Sequence, residues 1–161
     1  MTKKLTIPQQ TKKGKVAVPA RLKALNRAES FAVLATNDNG QPYTSLISYA
    51  LMPDGKKIVF ATPRKTSKYK NIIQSDRVAL LIDNSSPRER NVLAAEALTI
   101  IGRARPVRRG KAWKEFAEIF LKKHPALDEF LHSSTTALIA VDIIQCIHVG
   151  HFQTVSVWKC I

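Results

Sequence analysis

Residues 60–81, FATPRKTSKYKNIIQSDRVALL, constrain the fold more tightly than any other part of the chain. Ile58, Val59 and Phe60 form a β-branched and aromatic run up to Pro63, and Val78, Ala79, Leu80, Leu81 and Ile82 form a second apolar run of strand length. The segment therefore reads as a strand, a basic turn and a helix that lead into another strand. Arg64, Lys65, Thr66, Ser67, Lys68 and Lys70 lie between the two runs. Cations, hydroxyls and the unsatisfied amides of a helix N-terminus in one place have the chemistry of an anion pocket. A solvated basic turn capped by Thr66 or Ser67 uses the same residues, because hydroxyl caps are ordinary at helix starts.

Upstream, 31–36 (FAVLAT) is a compact apolar strand, 37–42 (NDNGQP) a turn cluster and 43–52 (YTSLISYALM) a second strand. Pro53, Asp54 and Gly55 turn the chain into the third. A β-meander followed by a helix and a further strand results. In this order, the "FAVLAT" strand, the "DNGQP" turn, the "FAT" strand, the Ser–Lys turn and the "RVALL" strand resemble the FMN-binding split-barrel family, the pyridoxamine 5′-phosphate oxidase-like proteins. The resemblance runs from about Ala20 to Asn84 and rests on the whole constellation, not on any single piece. It implies a mainly β fold with flanking helices, a split β-barrel that is homodimeric.

The second half is compatible with that architecture. Residues 84–91 (NSSPRERN) are polar and aperiodic and read as a loop, and 98–107 (LTIIGRARPV) as a strand in which Gly102 marks a bulge or twist. That strand resembles the one that returns across the barrel beside the flavin in the family. Trp113, Phe116, Ala117, Phe120 and Leu121 recur at helical spacing over 111–121, a stripe that reads as core. Pro125 redirects the chain, 126–132 is a further helical turn, and 136–149 (TALIAVDIIQCIHV) is one long strand or two with a bend. The segment 150–158 resembles the family's short final strand.

What the resemblance implies for the site can be given residue by residue. Lys68 pairs with the phosphate of flavin mononucleotide, Thr66 and Ser67 donate hydrogen bonds to it, and Ala61 and Thr62 contact the cofactor tail. Ser45, Leu46, Ile47 and Ser48 line the ring. The site lies between two subunits, with Phe152 and Trp158 as candidates to approach the cofactor or the interface from the partner. The chain departs from the vitamin B6 oxidases themselves. Thr44 and Tyr49 stand where those enzymes carry an arginine and a lysine that hold the phosphate, and the C-terminal arginine and histidine pattern is not recognisable. Fold and cofactor carry over; the vitamin B6 reaction does not. Related barrels bind the deazaflavin F420 or haem. For haem, His148 and His151 stand three apart, with His124 and His132 the other histidines. Equally, His148 reads as a strand residue facing solvent or holding a hydrogen bond, and His151 as a turn residue.

Composition bounds the rest. A length of 161 residues with 45% hydrophobic content suits one domain, 16–161, preceded by a basic flexible arm, 1–15. No apolar run is long enough to cross a bilayer, and the lysine-bearing N-terminus has no apolar segment after it, so the expectation is a cytoplasmic protein without membrane association. Cys146 and Cys160 lack zinc or dithiol spacing, and Cys146 reads as a buried, reduced core residue. The net charge of +14 is spread along the chain without a nucleic-acid recognition motif; it reads as a soluble basic surface whose arm associates weakly and non-specifically with polyanions. There is no nucleophile elbow and no metal cluster. Three functional readings follow: an FMN-dependent oxidoreductase of a small molecule, a haem-binding or haem-degrading protein, and a non-catalytic flavin-binding module. No general acid or base is named, and the loop residues Arg88, Glu89 and Arg90 have no pattern that fixes a substrate.

Overall fold

The computed structural model describes residues 16–84, 94–150 and 154–160. The arm expected over 1–15, the loop residues Arg88, Glu89 and Arg90, and His151 and Phe152 lie outside the described residues.

The first helix, α1 (Val18–Ala28), has Pro19 in its first turn, where a missing N–H costs nothing, and buries Val18, Leu22 and Leu25 along one face. β1 (Phe31–Asp38) and β2 (Gln41–Leu51) then form a hairpin whose two-residue loop, Asn39 and Gly40, holds both residues at positive φ, the geometry that asparagine and glycine supply at least cost. β3 (Lys57–Pro63) follows, then α2 (Ser67–Gln74) and β4 (Arg77–Asp83). β5 (Ala97–Pro106), α3 (Lys111–Lys123), a 3-10 turn at Pro125–Leu127 and α4 (Asp128–His132) lead into β6 (Thr136–Gly150) and β7 (Thr154–Lys159).

Neighbouring strands run in the order β3-β2-β1-β4-β5-β6, and β3 pairs with β6 to close a six-stranded antiparallel barrel. The fifteen-residue β6 is the long strand expected over 136–149, unbroken but for a register shift opposite Ile101 and Gly102. Its first half pairs with β3, and where β3 ends the extra strand β7 takes that edge. A side chain at Gly102 would lie 2.6 Å from the Asp142 carbonyl oxygen, which explains the glycine at the bulge.

Two apolar clusters account for the hydrophobic runs. The barrel interior holds Leu34, Ile47, Tyr49, Phe60, Leu80, Ile100, Ile139 and Val141, with α1 and α2 packed onto it. On the opposite face of β2, β3 and β6, α3 and α4 cover Ala50, Val59, Leu138 and Ala140 with Trp113, Phe116, Ala117, Phe120 and Leu131. Residues 137–141 are buried on both faces, so the first half of β6 reads as a continuous apolar run instead of an alternating one.

Candidate functional site

The site follows from a mismatch in strand pairing. β2 has eleven residues, but β3 pairs only with its last three, Tyr49, Ala50 and Leu51. Among the described residues the strand is paired from Gln41 to Ser48 with β1 alone, which leaves backbone N–H and C=O groups along the other edge without a described partner. Beside that edge β3 ends and α2 begins. Side chains of β2 alternate across it: Ile47 and Tyr49 point into the barrel, whereas Leu46 and Ser48 share the outer face with Val33 and Phe31 of β1. The Ser45 hydroxyl is buried without a hydrogen-bond partner.

At the start of α2, Thr66 is the cap: its Oγ1 accepts from the Tyr69 N–H at 3.3 Å and donates to the Pro63 carbonyl at 2.9 Å. The buried Thr62 hydroxyl lies 2.8 Å from that of Thr66. The backbone N–H groups of Ser67 and Lys68 have no acceptor among the described residues, as the geometry of a helix start dictates. The first turn holds no carboxylate, and the next acidic residue along the chain is Asp76. α2 is fixed in place by Ile72 in the core and by the buried Asn71, whose amide donates to Thr36 Oγ1 of β1 at 3.0 Å. Arg64, next to this turn, is tied by its guanidinium to the Ser134 carbonyl at 2.7 Å.

Among the residues expected at the site, Thr62, Thr66, Ser67 and Lys68 are thus gathered at one helix start. The others are dispersed. Ala61 faces the cluster under α3, the opposite side of β3 from Thr62. Ser45 to Ser48 divide between the two faces of β2, and Trp158, in register with Cys146, packs against the barrel interior on β7, a strand that pairs only with β6. Of the two positions at which the oxidases carry cations, Thr44 is exposed and Tyr49 is fully buried.

Two polar clusters were not foreseen from sequence. Around Tyr49, the Lys123 ammonium sits 3.7 Å from the ring centroid and donates to Asn26 Oδ1 and the Glu29 carbonyl, and His124 Nε2 lies 2.7 Å from the Tyr49 carbonyl oxygen. Burial pushes Lys123 down to about 8, and burial together with the neighbouring Lys123 lowers His124 as well. Burial raises the Tyr49 phenol. At the other cluster Arg21 of α1 grips the Glu96 carboxylate through two bonds of 2.5 and 2.7 Å, and His148 Nε2 lies 2.8 Å from the same carboxylate. The Arg21 hydrogen bond, helped by that of His148, holds Glu96 below the usual carboxylate range. His148 does not face solvent as one reading had it; it is 3% exposed and hydrogen-bonded. Cys146 is buried and free, its thiol pushed up to about 12 by burial.

A six-stranded antiparallel barrel with one added strand defines the class as a split barrel. The family profile described as pyridoxamine 5′-phosphate oxidase matches residues 18–149, and the chain belongs to that family. Sequence comparison with curated proteins finds no match. Solved structures with the same fold include a heme binding protein from Mycobacterium smegmatis (18% identity, TM-score 0.80, covering 91% of this chain and 59% of that one). HutZ, a heme storage protein from Vibrio cholerae (15%, 0.68, 77% and 88%), and an FAD-binding protein from Mesorhizobium loti (15%, 0.64, 80% and 91%) share it as well. This chain therefore spans about three fifths of the M. smegmatis protein's length. No described helix is long and apolar enough to cross a membrane.

Proposed function

We propose that the protein binds flavin mononucleotide in the notch between the free edge of β2 and the start of α2, and that it is an FMN-dependent oxidoreductase acting on a small molecule. The observation that carries this reading is the juxtaposition of an unpaired strand edge with a carboxylate-free helix start. The edge offers main-chain groups to a heterocycle, and the Ser67 and Lys68 amides with the Lys68 ammonium offer an anion site. Thr66 organises that site by capping the helix while Thr62 supports its hydroxyl. The deazaflavin F420 also carries phosphate and suits the same notch. Bound flavin supplies the redox chemistry; the chain supplies orientation and the electrostatics of the phosphate site. Tyr49, buried where the vitamin B6 oxidases carry a cation, sets this chain apart from those enzymes.

Haem is the second reading, favoured by the named functions of the M. smegmatis and V. cholerae proteins. Against it, His148 is buried with Nε2 on Glu96 and His124 has Nε2 on the Tyr49 carbonyl. The absorption spectrum of the purified protein separates the readings: a flavin spectrum supports the first and a Soret band the second. Oxidation of a reduced nicotinamide donor then divides an oxidoreductase from a passive flavin carrier. Lys68→Ala is expected to weaken FMN binding by roughly tenfold to a hundredfold, the usual effect of losing a charge-assisted contact of about 1.5–3 kcal/mol. Riboflavin, without a phosphate, should respond little. Equal loss for both ligands in a titration removes this turn as the phosphate site.

The outer face of the barrel supports a homodimer with the cofactor at the interface. In register across six strands stand Leu46, Val33, Leu81, Thr99, Ile147 and Val157, an almost wholly apolar row with Leu46 64% and Val157 53% exposed in the single chain. A second copy covers such a face with its own equivalent about a two-fold axis.

A further inference from the structure

The excess positive charge of this chain is not confined to its N-terminal segment. Residues 1–15 contain five lysines and no carboxylate, which leaves a net +9 to the remainder. Part of that remainder is arranged as a ladder. Arg77 of β4 stands directly opposite Arg103 of β5, Arg103 opposite Asp142 of β6, and Asp142 opposite Lys57 of β3, so one row of ionised side chains crosses four strands on the outer face. Arg105 follows two positions along β5 on the same face, and Arg108, Arg109, Lys111 and Lys114 continue the sequence with no carboxylate before Glu115.

Within the ladder the carboxylates are outnumbered. Asp76 bonds Arg103 at 2.7 Å, and Asp142 is shared between Lys57 at 2.7 Å and Arg105 at 3.6 Å. Arg77 has no ion pair among the described residues although it is exposed and faces another guanidinium. Like charges directly across an antiparallel pair destabilise a sheet. A position that keeps two arginines opposed is relieved when an external anion bridges them. Guanidinium groups suit phosphodiesters in particular, since each presents a planar fork of donors and stays ionised at all relevant pH. Arg109 is held 4.0 Å over the buried Trp113 ring, which anchors the far end of the strip. Among the described residues the strip exposes no aromatic platform on which a base could stack, which suits contact to the backbone without sequence readout.

We infer that the Arg77–Arg103–Arg105 ladder and the adjoining Arg108 form a docking strip for the phosphodiester backbone of a nucleic acid, separate from the flavin notch. The test compares full-length protein with Arg77→Gln/Arg105→Gln/Arg108→Gln, using anisotropy of a labelled mixed-sequence DNA duplex between about 50 and 200 mM salt. The N-terminal lysines stay in both proteins, so any difference belongs to the strip. The substituted protein is expected to bind at least tenfold more weakly at the lower salt, with a log–log salt slope shallower by about 0.9 for each phosphate contact removed. Two duplexes of unrelated sequence should behave alike. An unchanged affinity and slope overturns the inference. So does a loss seen only with phosphatidylserine-containing vesicles and not with DNA, which would make the strip a membrane contact.

Discussion

Tyr49 is a fully buried phenol that shares its pocket with an ammonium group. Its ring is sealed in the core, and the Lys123 ammonium arrives from α3 to lie 3.7 Å from the ring centroid. That arrangement has a pH signature. Lys123 is lowered from 10.5 to about 8 by burial, so between about pH 8 and 10 the unfolded chain binds more protons than the folded one and stability must rise with pH. Above about pH 10 the buried Tyr49, whose phenol is raised, opposes this, because the unfolded tyrosine ionises first. Urea midpoints measured across this range should climb and then fall. Lys123→Met, which keeps the aliphatic stem over the ring, should flatten the climb; a climb that survives assigns it to another group. At the acid end Glu96 has a dependence of the same sign as that of Lys123. Its depressed folded pKa contributes stability that is present above the ordinary carboxylate range and is lost as pH falls through the folded value. Glu96→Gln should reduce that acid loss while leaving the alkaline limb as it was.

At the level of elements, α2 and β6 illustrate what could and could not be read from the chain. Thr66 as a helix cap, a turn after the first strand and a long strand over 136–149 are local signals, and each is present, although the turn is Asn39 and Gly40 alone and the rest of 37–42 belongs to β1 and β2. Gly102 was also legible as a bulge or twist. Gly102→Ala tests its reason: with the Asp142 carbonyl 2.6 Å from the new methyl, β5 and β6 must part locally. A cost of about 1–3 kcal/mol is expected, or a fall in Tm of roughly 2–4 °C per kcal/mol for a chain of this size. An unchanged Tm would mean that the bulge is freely adjustable. What sequence did not reveal was relational. The notch exists because β3 meets β2 only at Tyr49–Leu51, and nothing in either strand's own composition sets that overlap. The faces taken by Ala61 and Thr62, or by Leu46 and Ile47, follow from the same registry. Arg21 of α1, Glu96 just before β5 and His148 of β6 are far apart in sequence, so their meeting leaves no periodic trace.

The outer face of the barrel presents water with two unlike regions: the part of β2, β3 and β6 under α3 and α4 is covered by the chain's own helices, whereas the row from Leu46 to Val157 has no such cover among the described residues. Phe31, 55% exposed, lies beside the apolar row that begins at Leu46, and the free edge of β2 borders the same face. A second copy seated there would bury the row and wall the notch on the side this chain leaves open, which ties oligomeric state to cofactor affinity. Leu46→Lys with Leu81→Lys puts one charge at the end of that row and one within it without touching the interior of the barrel. Circular dichroism should remain that of the folded protein, light scattering at micromolar concentration should fall from a dimer's mass to a monomer's, and FMN affinity should fall with it. A dimer that persists in this variant places the interface on another surface. A monomer that binds FMN as tightly as before shows that the notch of a single chain is sufficient, and that the apolar row has a purpose unconnected with the cofactor.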